Sequence, residues 1–438
     1  MLSNEGIFCL RKIMTEEFLH YIFKNRLWDK SHELTIKGDS LEIIDTGMYN
    51  TDSGPDFSNS KIKINDKIWV GNVEIHINAS DWYKHKHDKD LAYGNVILHI
   101  VFNADKPVFL KDNSEIPCWE IKFPHIIYNK YAELKNLEKA IPCADYIELV
   151  DENIKNLWLE KMAIERLENK VKYLENLSLK TNNNIEEIFY ISLARSFGFG
   201  TNSNAFENLA FSLPIKILLK YIDDNLKIEA LLFGQSGLLP EKSDFDFVKK
   251  LITEYKHLAK IHKLSAISSV EWKKSKMRPS NFTQIRIAQF ANLISIFKDL
   301  VFSITNFQLC ENTANLLKLN VSDFWKNHYT FEKETIKTNS KFSKSAKDII
   351  SINTLIPFAY FYFNKYSNNI IEDKIISWLE SIKAESNKEV REWEKLGFSN
   401  KNAYESQALL HLKRDYCNTH NCHNCAIGLE IFKQISLM

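Results

Sequence analysis

The 438-residue sequence predicts an α+β protein in two parts: a small mixed-sheet domain at the N-terminus, then a large, irregular all-helical domain. Three observations carry this. Apolar residues alternate with period two in several runs before residue 103, whereas after Pro142 they recur at helical spacing. Six of the 12 glycines (Gly6, Gly38, Gly47, Gly54, Gly71 and Gly94) fall before residue 100, where turns must be frequent. With only 12 Gly and 9 Pro in the whole chain, the remainder favours helices.

Taken in order, a helix is predicted at about 14–26, starting at Thr15-Glu16-Glu17, where a hydroxyl cap and two acidic residues suit a helix N-terminus. Strands are predicted at Leu41-Glu-Ile-Ile44, Lys61-Ile-Lys-Ile64, Ile68 to Ile77 and Asn95 to Phe102, with shorter ones at Val108-Phe-Leu110 and Trp119 to Phe123. These make the N-terminal domain, residues 1–125. Helical spacing follows at 152–176, 184–198, 203–233, 245–262, 281–305, 313–327, 345–365 and 370–396. The helical domain, 140–438, shows no repeat of fixed period and ends in a Cys-rich segment at about 411–428.

Lys plus Arg (57) nearly cancels Asp plus Glu (56), so no global positive field draws the chain to nucleic acid, and any such contact needs a local patch. With 28 Phe, 17 Tyr and 9 Trp, disorder is excluded as the general state. No run approaches ~18 uninterrupted apolar residues, and the N-terminus lacks the apolar core of an export signal. A cytoplasmic, membrane-free protein is expected, and its seven cysteines are read as thiols or metal ligands.

The densest polar signal lies between residues 54 and 99. Gly54-Pro-Asp-Phe57 is a turn delivering Asp56 to the start of a strand. In Gly71-Asn-Val-Glu74-Ile-His76, alternation puts Glu74 and His76 on one strand face. If the two strands form a hairpin through Asn65-Asp66, Asp56 and Glu74 converge at the sheet's end, and paired carboxylates there suit Mg²⁺ or Mn²⁺. Ser80-Asp81-Trp82 follows, then His85 and His87, giving the candidate catalytic set Asp56, Glu74, His76, Asp81, His85 and His87. A cluster of His85, His87 and Asp90 would instead make a His-rich zinc hydrolase. His99, in an apolar strand, reads as a satisfied core histidine.

An Asp, then Glu-x-Lys on the next strand, is the pattern of the PD-(D/E)XK nucleases. Pro55-Asp56 and Glu74-Ile75-His76 resemble it, with His76 where that pattern has Lys. The resemblance implies a nuclease-like core in which His76 assists the attacking water or joins the ligand set. Over nearly the whole chain, Gly54-Pro-Asp-Phe57, Gly71 to His76, Ser80-Asp-Trp82, Asn95-Val-Ile-Leu-His99, Ile141-Pro-Cys143, Glu165 to Lys170, Phe233-Gly-Gln-Ser-Gly-Leu238, Arg278-Pro-Ser-Asn-Phe282 and Arg286-Ile-Ala-Gln289 are similar to a bacterial family catalogued as domain of unknown function 2851. That resemblance implies no activity.

Cys417-x4-Cys422-x2-Cys425 supplies three thiols on a short loop, and Cys143 is the preferred fourth ligand, with His411, His420 and His423 as alternatives. Zn²⁺ and a [4Fe–4S] cluster both suit four thiolates, and the arrangement loosely resembles the iron–sulfur staples of some PD-(D/E)XK exonucleases. A basic patch of Lys263, Lys273, Lys274, Lys276, Arg278 and Arg286, flanked by Trp272 and Phe282, offers contacts to nucleic acid. Gly234-Gln-Ser-Gly237 lacks a Walker Lys and reads as a turn. The leading expectation is a metal-dependent nuclease acting on DNA or, secondarily, RNA. The rivals are a non-catalytic binding or scaffold protein and the zinc hydrolase.

Overall fold

The computed structural model describes residues 14–50, 53–136, 139–273, 277–306, 317–338, 341–367 and 371–437. It divides into two compact units: unit 1 holds residues up to Trp158 together with Leu412–Met438, and unit 2 is Leu159–His411. This differs from the boundary expected at 125–140. The Cys-rich tail belongs with the sheet unit, because residues far apart in sequence share one core.

Unit 1 opens with α1 (Glu16–Lys24). The Thr15 hydroxyl accepts a hydrogen bond from the Phe18 amide, Glu16 and Glu17 occupy the positive end of the helix, and Phe18, Leu19, Ile22 and Phe23 are buried. A six-stranded sheet follows: β1 (Leu41–Asp45), β2 (Met48–Tyr49), β3 (Phe57–Ile64), β4 (Lys67–Asn78), β5 (Val96–Asn103) and β6 (Cys118–Glu120), in the order β1-β3-β4-β5-β6 with β2 on β3. β3 and β4 are the expected hairpin, with Ile64 paired to Lys67. Between Phe57 and Ser60 the register slips by one residue, and Asn59 takes φ +56°, the left-handed conformation that a bulge needs. β4 and β5 run parallel, so the chain between them must cross over. The crossover holds α2 (Asp81–Lys84) and two 3₁₀ turns, His87–Lys89 and Leu91–Tyr93. Gly71 sits where β4 meets this return, since a Cβ there would come 2.5 Å from the Ile97 side chain. The run at Val108-Phe-Leu110 is no strand, only a single bridge between Phe109 and Glu115. α3 (His125–Asn136) completes this stretch.

α4 (Glu152–Lys180) crosses from unit 1 into unit 2. Unit 2 continues with α5 (Ile185–Phe197), α6 (Ser203–Ser212), α7 (Ile215–Leu218), α8 (Asn225–Gln235), α9 (Asp246–His262), α10 (Thr283–Ile294), α11 (Phe297–Thr305), α12 (Lys344–Ile350), α13 (Ile356–Tyr366), α14 (Glu372–Ser381), α15 (Lys388–Glu394) and α16 (Ala403–His411). The stretch expected as one helix over 203–233 is broken at Pro214, which lacks an amide proton, and at Asp224, which caps α8. The 281–305 stretch bends by 65° between α10 and α11. Of 313–327, residues 313–316 lie outside the described set, and the remainder forms only a 3₁₀ turn, Asp323–Lys326. Among the described residues no single helix is long and apolar enough to cross a membrane. α17 (Ala426–Leu437) returns to unit 1.

α8 is buried on all sides from Ile228 to Gln235, which makes it a central strut of unit 2. Gly234 is required there: a Cβ would lie 2.0 Å from the Tyr255 ring, whose hydroxyl donates to Gln235 Oε1 at 3.2 Å. Gly234→Ala is expected to lower stability by about 2 kcal/mol through overpacking, read from urea unfolding. An unchanged midpoint would show that Tyr255 yields freely.

Candidate metal centre

Asp56 and Glu74 are locked together by the hairpin. The Asp56 amide donates to Glu74 Oε2 at 3.2 Å, and the Ile75 amide donates to Asp56 Oδ2 at 2.8 Å. Each carboxylate is thus held by the other strand's backbone, just beyond the Phe57–Val73 pair. The remaining Glu74 oxygen, Oε1, faces imidazoles: His87 Nε2 at 3.3 Å and His76 Nε2 at 3.6 Å. His76 is a junction. Its Nδ1 is 2.8 Å from His99 Nε2, and its Nε2 is 3.1 Å from His85 Nδ1. One nitrogen from each of His76, His85 and His87 lies within 4.8 Å of the others.

The crossover delivers His85 and His87. Asp81 accepts from the Asn78 amide and side chain and pairs with Lys84, so it pins the start of α2 beside the site instead of entering it. Lys86, at φ +65°, turns the chain so that His87 lies flat on Tyr93, ring centroids 3.8 Å apart. Trp82, fully buried, stands edge-on to His87 at 5.3 Å. Asp90 accepts from the Ala92 amide on the exposed surface, capping the next turn. It takes no part in the imidazole cluster for which it was a candidate.

Two members of the site had no place in the sequence reading. His20 Nε2 lies 3.2 Å from Asp56 Oδ2, and Glu16, one helical turn earlier on α1, bears electrostatically on Asp56, His20 and His85. The Glu16-x3-His20 spacing puts both on one helix face, a signal that was available but not specific. His99 proves to be both buried and engaged, holding His76 from behind.

The electrostatics follow from burial. Desolvation pushes the Glu74 carboxyl above the usual range, with Asp56 adding to the rise and His87 opposing it. Desolvation, then the neighbouring imidazoles, holds His76 far below the ordinary histidine value, and burial does the same to His99. For His20, burial opposes the charged form, but the hydrogen bond to Asp56 and the negative charge of Asp56, Glu16 and Glu74 together outweigh it and the pKa rises. Imidazole nitrogens beside carboxylate oxygens are the kinds of donor that a divalent cation takes.

The other expected ligands are placed as follows. Cys143, Cys417, Cys422 and Cys425 all lie in unit 1 and carry no disulfide. His423 Nε2 is 3.1 Å from Glu17 Oε1, and His411 pairs with Glu165 in unit 2. In the basic patch, Lys263 and Arg278 are exposed, as is Lys273, while Lys274 and Lys276 lie outside the described residues. Arg286 is a buried cation and not a surface one: its guanidinium stacks 4.0 Å above Phe199 and donates to Gln289 and Asn281. With Arg278 it lines a cavity of about 320 Å³ in unit 2. Trp272 offers no stacking face either, being buried with its indole donating to Ser236 O at 2.8 Å. Of the turn expected at Gly234–Gly237, Gly234 and Gln235 still belong to α8, and only Ser236-Gly237 turns, with Gly237 at φ +70°.

Fold and site together define an α+β protein whose sheet carries a partly buried carboxylate–imidazole cluster, with Glu74 and His76 buried and His85 exposed. Residues 16–388 match the family described as "Protein of unknown function (DUF2851)", and the chain belongs to that family. No curated protein and no solved structure matches the chain.

Proposed function

We propose that unit 1 is a metal-dependent phosphodiesterase acting on nucleic acid, with DNA as the first substrate to try. The observation that carries this reading is the convergence of Asp56 and Glu74, each held by the opposite strand's backbone, beside the imidazoles of His76, His85 and His87. Adjoining, inward-held carboxylates weigh against a non-catalytic scaffold, for which separate, solvated ones are expected. An Asp entering one strand and a Glu-x-His on the next also supports the kinship with PD-(D/E)XK nucleases.

The donor set suits a cation. Glu74 and Asp56 supply oxygens, and His76, His85 and His87 supply nitrogens, a mixture that favours Mn²⁺ or Zn²⁺ over Mg²⁺. Such a cation, when bound, acidifies water and offsets the charge that develops on phosphate. The protein's own part is orientation. His99 engages His76 Nδ1, leaving Nε2 to face the site, and His20 steadies Asp56. Nucleic acid as partner is supported by the exposed Lys263, Lys273 and Arg278 of unit 2.

The test is to supply metal-free protein with Mg²⁺, Mn²⁺ or Zn²⁺ and end-labelled single- and double-stranded DNA and RNA. Strand cleavage with Mn²⁺ or Zn²⁺, abolished by chelator, is expected. Absence of cleavage with every cation would retire the nuclease reading. A second reading, a zinc hydrolase of other esters, is favoured by the three clustered imidazoles. Zinc-supported turnover of a simple ester without nucleic-acid cleavage would select it.

A further inference from the structure

The tail of the chain folds back onto a segment more than two hundred residues earlier. Cys143 precedes the 3₁₀ turn Ala144–Leu149, and Cys425 immediately precedes α17, which packs on that turn. Cys422 opens the 3₁₀ turn Cys422–Asn424, which packs on α17 and on α3. Cys417 ends a π turn, and its carbonyl accepts from the His420 amide at 3.1 Å, where His420 takes φ +53°. Cys143, Cys417 and Cys425 are buried, and Cys422 is half-buried.

The loop is shaped around sulfur. The amides of Ile427 and Gly428 and the Trp158 indole all bear on the Cys425 sulfur in the sense that favours its thiolate. Gly428 must be glycine, because a Cβ would lie 2.3 Å from the Cys422 carbonyl oxygen that closes over it. The charge of each thiol bears on the others: Cys143 feels Cys422 and Cys425, and Cys417 feels all three. Three buried thiols and a half-buried fourth, drawn from two chain segments, form a sulfur-rich pocket in which thiolate charge would need a cation to offset it.

We infer that Cys143, Cys417, Cys422 and Cys425 hold one thiophilic metal centre, zinc or an iron–sulfur cluster, that staples the two chain segments of unit 1. The chain leaves unit 1 after Trp158 and returns at Leu412, so Cys143 lies before the inserted unit and the other three after it. Four sulfur donors complete a closed structural site with no open position for substrate. Ligation across so long an insertion restricts the unfolded chain, and binding is coupled to folding of the tail.

The experiment uses full-length protein purified without oxygen. Either about one zinc per chain without colour, or about four iron with matching sulfide and a brown chromophore, is expected. Cys143→Ser and Cys425→Ser should each lose most of that metal, while Glu74→Gln keeps it, which separates this centre from the carboxylate–imidazole site. If the Cys variants fail to fold, wild type answers alone: mercurial titration of its thiols should release the metal in step with thiolate loss, and Co²⁺ added to metal-free protein should give intense sulfur-to-metal charge-transfer bands. Full metal content in folded Cys variants, or wild type with neither zinc nor iron and no charge-transfer bands with Co²⁺, would overturn the assignment.

Discussion

Glu74→Gln is expected to lower metal-dependent strand cleavage on the order of 10³-fold, with little change in melting temperature. Gln keeps the shape of Glu and can still accept from the Asp56 amide, so the hairpin stays closed. What it loses is the negative oxygen that faces His76 and His87, where the cation would sit. Asp56→Asn should act in the same direction, because Asp56 Oδ2 accepts from Ile75 and faces His20. His20→Ala should cost less, roughly tenfold, since it steadies a ligand and supplies none to the metal itself. Mn²⁺ affinity by calorimetry should fall with turnover in the carboxylate variants. Cleavage at wild-type rate in both would remove this pair from the chemistry.

The second large effect is on stability and concerns Glu229, a fully buried carboxyl in α8. It accepts from Asn225 Nδ2 at 2.8 Å and Trp325 Nε1 at 2.9 Å, and from the Ser322 hydroxyl. Glu229→Ala leaves three donors without their acceptor around a new void, and should lower stability by about 4 kcal/mol, or roughly 10 °C. Burial raises the Glu229 pKa, against the three hydrogen bonds. A carboxyl whose pKa is raised on folding contributes fully below the ordinary glutamate value, and that contribution is lost as pH rises through the raised value. Glu229→Gln has no proton to lose, so its melting temperature should improve relative to wild type as pH increases from about 4 toward 8. Parallel melting curves across that range would show that Glu229 does not titrate differently on folding.

The two-part α+β organisation was legible because periodicity is local. The strand runs at 41–44, 61–64, 68–77 and 95–102 all became β1, β3, β4 and β5, and the hairpin turn fell at Asn65-Asp66 as expected. Helix breaks were harder to see. Pro214 announces one, but the 65° bend between Ile294 and Phe297 falls at Ser295-Ile296, with no Gly or Pro to mark it. α17 was hidden behind the cysteines that precede it, and α16 behind a segment with little amphipathic contrast.

By itself, the sequence determined the fold class, the hairpin that brings Asp56 to Glu74, and the shared strand face of Glu74 and His76. All of these follow from alternation and turn chemistry within some twenty residues. Only the tertiary structure decided that β4 and β5 run parallel, so that the crossover lays His87 against Glu74 and His85 against His76, while Asp81 holds Asn78 and Asp90 caps the next turn. It also decided that α1 contributes Glu16 and His20, that Arg286 and Trp272 are interior, and that the tail belongs to unit 1. The physical reason is the same in each case: which side chains meet across a parallel crossover or a chain return depends on long-range packing, and spacing along the chain carries no record of it.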